Sequence, residues 1–485
     1  MVFSSPVFLF LFLPLVLGLY FLSPKPVRNL LLLTASLLFY SWGTKLLVLM
    51  MLASISANWL LGLWVGRVRE TRWGKAALAI TVALNLAPLV YFKYTNFLAG
   101  NLGDLLAPFG IALPALAPIV LPIGISFFTF HEMSYVIDVY RGEAAVERNP
   151  INVALYVAFF PQSIAGPIVR YVDVAAQIRD RRVTVDGFAE GIERFLLGLV
   201  KKLLIANSVA PVADAIFELP DNELTFALAW LGVICYSLQI YFDFSGYSDM
   251  AIGLGLMFGF RFMENFNYPY IARSVTEFWR RWHISLSTWF RDYLYIPLGG
   301  NQRGTIRTYF NLLLVFFLCG LWHGASWKFV AWGLFHGAFL VIERRGLGKW
   351  LGRRWSPLAH LYTLLAVMVG WVFFRAVNLQ HAIAVLLALC GIAQGDGVRY
   401  HPGLYLDTGL WLVLILGCLA STPCVPWFKS QLAGLRDRCS QQPWLAGPLE
   451  AGLGLGRVTA LAACLLASAI LLSASTYNPF IYFQF

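Results

Sequence analysis

The chain has 485 residues, 59% of them hydrophobic and 13% charged, with a formal net charge of +11. Soluble proteins carry about 25% charged residues, so this composition excludes a soluble globular protein. It reads as an all-α polytopic membrane protein, whose helices satisfy their backbone polar groups internally. The positive charge reads as membrane topology, not nucleic-acid binding. The arginines cluster between hydrophobic runs, at Arg67, Arg69 and Arg72, at Arg179, Arg181 and Arg182, and at Arg344, Arg345, Arg353 and Arg354.

In chain order, MVFSSPVFLFLFLPLVLGLYF lacks a positive n-region and a small-residue cleavage site, and reads as a retained first membrane helix. A spanning helix needs roughly 17–25 apolar residues. Runs that qualify are 6–22, 28–43, 46–66, 76–94, 112–137, 188–209, 225–245, 308–325, 327–343, 358–376, 405–422 and 457–475. Allowing short and re-entrant pieces gives about eleven to thirteen membrane segments. Residues 395–404 and 424–448 read as loops, and residues 1–485 as one integral-membrane domain.

Two apolar segments carry helix breakers. In Tyr156–Arg170 they are Pro161, Gly166 and Pro167; in Phe242–Phe260 they are Gly246, Gly253, Gly255 and Gly259. Irregular backbone at membrane depth is tolerated in a protein interior or beside a wet cavity, so both segments point to an internal pocket, with loosely packed helices as the alternative. The glycines of GLGLMFG and GLGLGR have no βαβ context and form no dinucleotide fingerprint.

Residues 241–323 form the candidate catalytic core. Asp243 and Asp249 lie in YFDFSGYSDMAIG, where buried carboxylates pair with a cation, orient a histidine or face water. A structural partner role is favoured, and both are retained as candidate substrate contacts. Thr276–Arg291 reads as one divided helix at about 100° per residue. Trp279, Trp282, Leu286 and Trp289 fall on one face, Glu277, Arg280, Ser287 and Arg291 on the other, and His283 at the seam. Such a helix anchors at a membrane interface. Alternatively Arg280, Arg281 and Arg291, with Arg303, Arg307, Lys201 and Lys202, attract an anionic ligand.

His323 stands inside LCGLWHGASW, where a polar side chain is costly and faces a cavity or a partner. A neutral imidazole can enter such a site and still accept a proton, so it is a candidate general base as well as a candidate interhelical hydrogen bond. Gly320 and Gly324 allow close approach of another helix or of a substrate. His131, His336, His360, His381 and His401 show no metal-ligand spacing. The seven cysteines lack a C-x-x-C pair, and there is no Gly-x-Ser-x-Gly elbow. Neither a metal site nor a covalent nucleophile of the usual kind is expected.

The runs YSLQIYFDFSGYSDMAIGLGLMFGFRFMENFNYPY, EFWRRWHISLSTWFRDYLYIPLGGN and LWHGASW, together with FFPQSIAGPIVRY and the terminal YNPFIYFQF, resemble the membrane-bound O-acyltransferase family. The match is closest to its bacterial branch for polysaccharide O-acetylation and spans nearly the whole chain. The resemblance implies a ring of helices around a thin centre, with funnels to both membrane faces. It implies that His323 is the catalytic histidine and that His283 occupies the supporting polar position. It also implies acetyl-CoA as a cytoplasmic donor substrate, no tightly bound cofactor, a bacterial inner-membrane location, and a periplasmic acetyltransferase as partner. The basic segment would hold the CoA phosphates, and Trp322, Trp327 and Cys319 would line a narrow acetyl pocket. Alginate is the first expected polymer, with cellulose and peptidoglycan as alternatives. A transporter-like channel for a polar solute or acetyl donor is the reading from a different class.

Overall fold

The computed structural model describes residues 1–114, 116–352, 356–392, 395–440 and 443–474. Arg353, Arg354 and the terminal YNPFIYFQF lie outside them. The described residues form helices joined by short irregular segments, with no strand among them.

The first helices are α1 (Leu13–Leu22), α2 (Arg28–Thr44), α3 (Val48–Val68) and α4 (Gly74–Leu106). An irregular connection then leads into α5 (Ile125–Arg141), which is buried on all sides through residue Val139. The short α6 (Pro150–Ala158) and α7 (Tyr171–Arg179) are separated by the non-helical stretch 159–170, as Pro161, Gly166 and Pro167 predict. Helices α8 (Val185–Val200), α9 (Asn207–Phe217) and α10 (Phe226–Met257) follow, then α11 (Val275–Arg281) and α12 (Ile284–Phe290). Helices α13 (Thr305–His323) and α14 (Trp327–Ile342) form a tight hairpin. The remainder comprises α15 (Gly348–Gly352), α16 (Ser356–Arg375), α17 (Leu379–Leu389), α18 (Thr408–Ala420), α19 (Cys424–Ser440) and α20 (Pro443–Ala474).

Among the described residues, seven helices are long and apolar enough to cross a membrane, or eight if a bent pair counts as one span. The other apolar runs in the sequence fall on shorter helices such as Phe8–Leu22 and Leu379–Leu389, or on the buried α5. The segment read as an extra loop, 424–448, is mostly the helices α19 and α20.

One expectation is overturned. Phe242–Phe260 is not broken: α10 runs unbroken from Phe226 to Met257 and stops only at Gly259, whose φ of +83° favours glycine. Its glycines serve packing. A Cβ on Gly253 would meet the Gly191 carbonyl oxygen at 2.5 Å, and one on Gly246 would meet that of Gly198 at 2.7 Å. Helices α8 and α10 therefore cross with their backbones in direct contact, the small-residue packing that lipid-embedded helices use in place of a hydrophobic driving force.

The same crossing is tied by charge. Lys202 Nζ donates to Asp243 at 2.6 Å, with both side chains almost fully buried. Asp249 accepts from Lys201 at 2.6 Å and from Arg194 Nε at 2.8 Å. Two cations read as ligand-attracting and two carboxylates carried as substrate contacts are thus joined as helix-to-helix pairs. A buried charge in a membrane protein needs such a partner.

Candidate active site

His323 is the last residue of α13, and the chain turns at Gly324–Ser326 before α14 begins. Gly320 faces the Phe329 carbonyl and Gly333, so the corner is as close-packed as the glycine spacing predicts. The four last carbonyls of an α-helix have no partner within the helix. Here Gly324 N–H reaches Gly320 O, Tyr94 Oη donates to Leu321 O at 2.5 Å, and Lys93 Nζ donates to both Trp322 O and His323 O. Lys93 and Tyr94 come from α4 and had no sequence motif to mark them. The available signal was a single lysine inside the apolar run 76–94.

The His323 ring is enclosed by aromatic neighbours at right angles: Trp322 at 4.9 Å, Trp332 at 5.0 Å and Phe374 at 5.1 Å between centroids. One side opens on a cavity of about 200 Å³ lined by Lys93, Ile123, Ser126, Phe127, Trp322 and His323. Trp322 is therefore on the cavity wall as expected. Trp327 is not: it is 56% exposed, with its indole N–H on Asn101 Oδ1 at 2.8 Å. Cys319 is buried but does not line the cavity either. The Trp327 difference follows from the turn after His323, which carries it onto the next helix.

His283 sits at the centre of a second correction. The expected single helix over 276–291 is two, because His283 has φ +43° and ψ +53° and splits it. A left-handed non-glycine residue costs about 1–2 kcal/mol, and the neighbouring loop holds it there. Asn265 O accepts from Ile284 N at 2.9 Å, and Asn267 N donates to Arg281 O at 2.9 Å. The Asn265 side-chain oxygen receives Ser285 N–H at 3.2 Å, Ser285 Oγ–H at 2.9 Å and the His283 Nδ1 at 3.1 Å. His283 Nε2 is buried with no protein partner among the described residues. The kink turns the imidazole away from the helix seam into the interior. Its ring lies 6.3 Å from that of Trp322, which in turn touches His323.

The arginines lie at the far end of α5 from the cavity. Residues Gly124–Phe127 at the start of α5 line the cavity, whereas Arg141 at its end donates to Asp292 O at 2.9 Å. Seventeen helical residues separate these ends by roughly 25 Å. Arg170 bridges Asp173 and Asp292, and Arg291 pairs with Asp292 at 2.6 Å. The Asp173 carboxylate raises the Arg170 guanidinium above its ordinary range, and Asp292 does the same for Arg291. Arg69 reaches Val139 O at this same end. Arg281 is held separately by Glu277 at 2.9 Å, and Arg280 is exposed. Of the expected cationic set, the structure gathers Arg291 with Arg141 and Arg170 and leaves Arg281 in its own pair.

Between the two ends runs a stack of rings. Trp289 and Phe130 are parallel with centroids 3.8 Å apart, and Phe130 stacks on Trp322 at 5.4 Å. The two imidazoles lie close to this stack, within 6.3 Å of the Trp322 ring. Two imidazoles beside Trp322, with a cavity at one end of α5 and guanidinium groups at the other, suit group transfer between ligands that approach from opposite ends.

Residues 116–391, which include α5, the kinked helices and the α13–α14 corner, match the membrane-bound O-acyltransferase family. The chain is 47% identical to the probable alginate O-acetylase AlgI of Pseudomonas putida over 499 residues, covering all of both chains. It is 45% identical to the same protein of Azotobacter vinelandii over 502 residues, again covering all of both. Identity to the peptidoglycan O-acetyltransferase of Helicobacter pylori is 37% over 428 residues, covering 81% of this chain and 80% of that one. The chain belongs to the membrane-bound O-acyltransferase family, and it is an acyltransferase.

Proposed function

We propose that the chain is the membrane component of an exopolysaccharide O-acetylation system in a bacterial inner membrane, with alginate as the polymer. It takes acetyl from acetyl-CoA at the arginine-bearing end of α5 and passes it to an acceptor hydroxyl in the His323 cavity. The observation that carries this reading is the placement of His323 on the wall of that cavity, roughly 25 Å along α5 from the guanidinium cluster. Charge supports this direction, since Arg69, Arg141, Arg170 and Arg291 gather at one end, as on a cytoplasmic face. Guanidinium groups there suit the phosphates of CoA.

In this mechanism His323 removes the proton from the acceptor hydroxyl as its oxygen attacks the thioester carbonyl. The carbon–sulfur bond breaks, the ester forms, and the proton passes to the departing thiolate. Atoms and charge balance without an external reagent. His283 offers its Nε2, without a partner among the described residues, as a second proton-accepting position beside Trp322. Arg280, Arg281 and Arg291 contribute the positive field at the donor mouth, and Trp322 closes one wall of the acetyl pocket. Asp243 and Asp249 support the site through their cation pairs without touching substrate.

The acceptor is a periplasmic acetyltransferase that finishes the transfer to polymer. Purified chain that acetylates polysaccharide from acetyl-CoA alone would overturn that assignment. The relatives named for alginate O-acetylation match over their full length, which favours alginate. The Helicobacter pylori relative supports peptidoglycan as the second reading. The deciding experiment measures acetyl ester on exopolysaccharide from cells carrying wild type or His323→Ala at equal protein level. Loss of ester is expected. Unchanged ester would remove the catalytic assignment, and solute uptake by proteoliposomes that persists in His323→Ala would favour a transporter.

A further inference from the structure

Helix α4 lies outside the stretch matched by the family, yet it makes closer polar contact with the His323 corner than any motif residue does. Lys93, Tyr94, Phe97 and Asn101 fall within about 100° of one another around the helix, so they share a face. That face grips the α13–α14 corner along its length. Tyr94 holds Leu321 O, Lys93 holds Trp322 O and His323 O, Phe97 packs edge-on against Trp327 at 5.7 Å, and Asn101 takes the Trp327 indole N–H.

Lys93 is the centre of this grip. An ammonium group has three N–H donors, and in a buried site each needs an acceptor. Its donors go to Trp322 O, His323 O and, at 3.5 Å, Ser126 Oγ at the start of α5. Two consecutive carbonyls at the negative end of α13 are thereby bonded to a cation, the arrangement that best satisfies a helix C-terminus. Its two closer bonds hold backbone, and only the 3.5 Å donor toward Ser126 Oγ faces the cavity. We infer that Lys93, assisted by Tyr94, is a positioning residue that fixes the terminal residue of α13 so that the His323 imidazole is held at the cavity wall.

The need for such a device is physical. His323 ends its helix beside two residues, Gly324 and Ala325, that carry little side chain to anchor the turn. Misplacing a reacting group by about 1 Å costs roughly 100-fold in rate. This inference rests on the proposed catalytic role of His323 for its kinetic arm only.

The test compares full-length wild type with Lys93→Met and Tyr94→Phe in detergent or nanodiscs. Amide hydrogen exchange is read over residues 318–326, and acetyl transfer is read as kcat and KM for acetyl-CoA. Lys93→Met is expected to speed exchange in that segment by at least tenfold and to lower kcat by roughly 100-fold. KM for acetyl-CoA should stay within about twofold, because the donor groups lie at the other end of α5. Methylammonium should restore part of the rate to Lys93→Ala, and a series of amines should rescue according to size, not basicity. Unchanged exchange, unchanged kcat or rescue that follows basicity overturns the inference. If Lys93→Met does not fold, Tyr94→Phe decides by the same two readouts, with smaller changes of the same sign. If wild type transfers no acetyl, the proposed function falls and the exchange measurement alone decides on Lys93.

Discussion

The side-chain oxygen of Asn265 sets the tautomer of His283. Ser285 N–H can only donate, and it points at Asn265 Oδ1 from 3.2 Å, so that atom is the amide oxygen. The His283 Nδ1, 3.1 Å from the same oxygen, must then carry its proton. The lone pair is left on Nε2, which is buried and has no partner among the described residues. A backbone N–H two residues along the chain therefore decides which nitrogen of His283 can take a proton.

It follows that Asn265→Ala should reduce acetyl transfer by roughly 10- to 100-fold, through loss of both ring orientation and tautomer. Asn265→Asp is the more telling variant. A carboxylate beside Nδ1–H favours the charged imidazolium, so the acidic limb of the pH–rate profile should move to higher pH. A profile that does not move in Asn265→Asp would show that His283 titration has no part in the rate.

His323 and His336 should behave differently despite both being buried histidines near Trp332. His323 lines the cavity; His336 is 0% exposed and faces Gly370, where an added Cβ would meet its Nε2 at 2.5 Å. His323→Ala should cost roughly 10²–10⁴-fold in acetyl transfer, the range for loss of a general base, with little change in melting temperature. His336→Ala should instead lower the melting temperature and leave the residual rate per folded molecule near wild type. A larger rate loss in His336→Ala than in His323→Ala would reverse these roles.

Much of this site was legible from residue type and cost. His323 stood out because imidazole is expensive in an apolar run, and the stretch 159–170 because two prolines and a glycine cannot continue a helix. What stayed hidden depends on partners distant in sequence. The glycines of α10 signalled a break or a close approach with equal force, and only α8, about fifty residues earlier, decides between them. The kink at His283 leaves no local mark, since the bonds that hold its left-handed backbone come from Asn265 and Asn267. Lys93 was absorbed into an apolar run whose one charge is satisfied by carbonyls more than 200 positions away.

The Lys202–Asp243 pair gives a stability prediction. Both side chains are nearly inaccessible, at 2% and 4%, and only 2.6 Å apart. Lys202→Met leaves a carboxylate in the protein interior and should destabilise by about 3–5 kcal/mol. The double variant Lys202→Met with Asp243→Leu should recover most of that loss, because neither charge of the pair remains. Thermal unfolding of the solubilised protein measures both. Equal losses in the single and double variants would mean that the pair contributes through packing and not through charge.

The donor face yields a contrast among arginines that look alike in the sequence. Arg281 is engaged by Glu277 and Arg291 by Asp292, whereas Arg280 is exposed with no ion pair among the described residues. A guanidinium already bonded to a carboxylate has less to gain from a phosphate than one held only by water. Arg280→Ala should therefore raise KM for acetyl-CoA more than Arg281→Ala or Arg291→Ala, with kcat little changed, since charge at the mouth acts on binding. The effect should shrink as ionic strength rises, because exposed charges are screened within about 10 Å at 0.1 M salt. Equal KM in all three variants at low salt would leave the Arg141–Arg170–Asp292 cluster at the end of α5 to hold the CoA phosphates without Arg280.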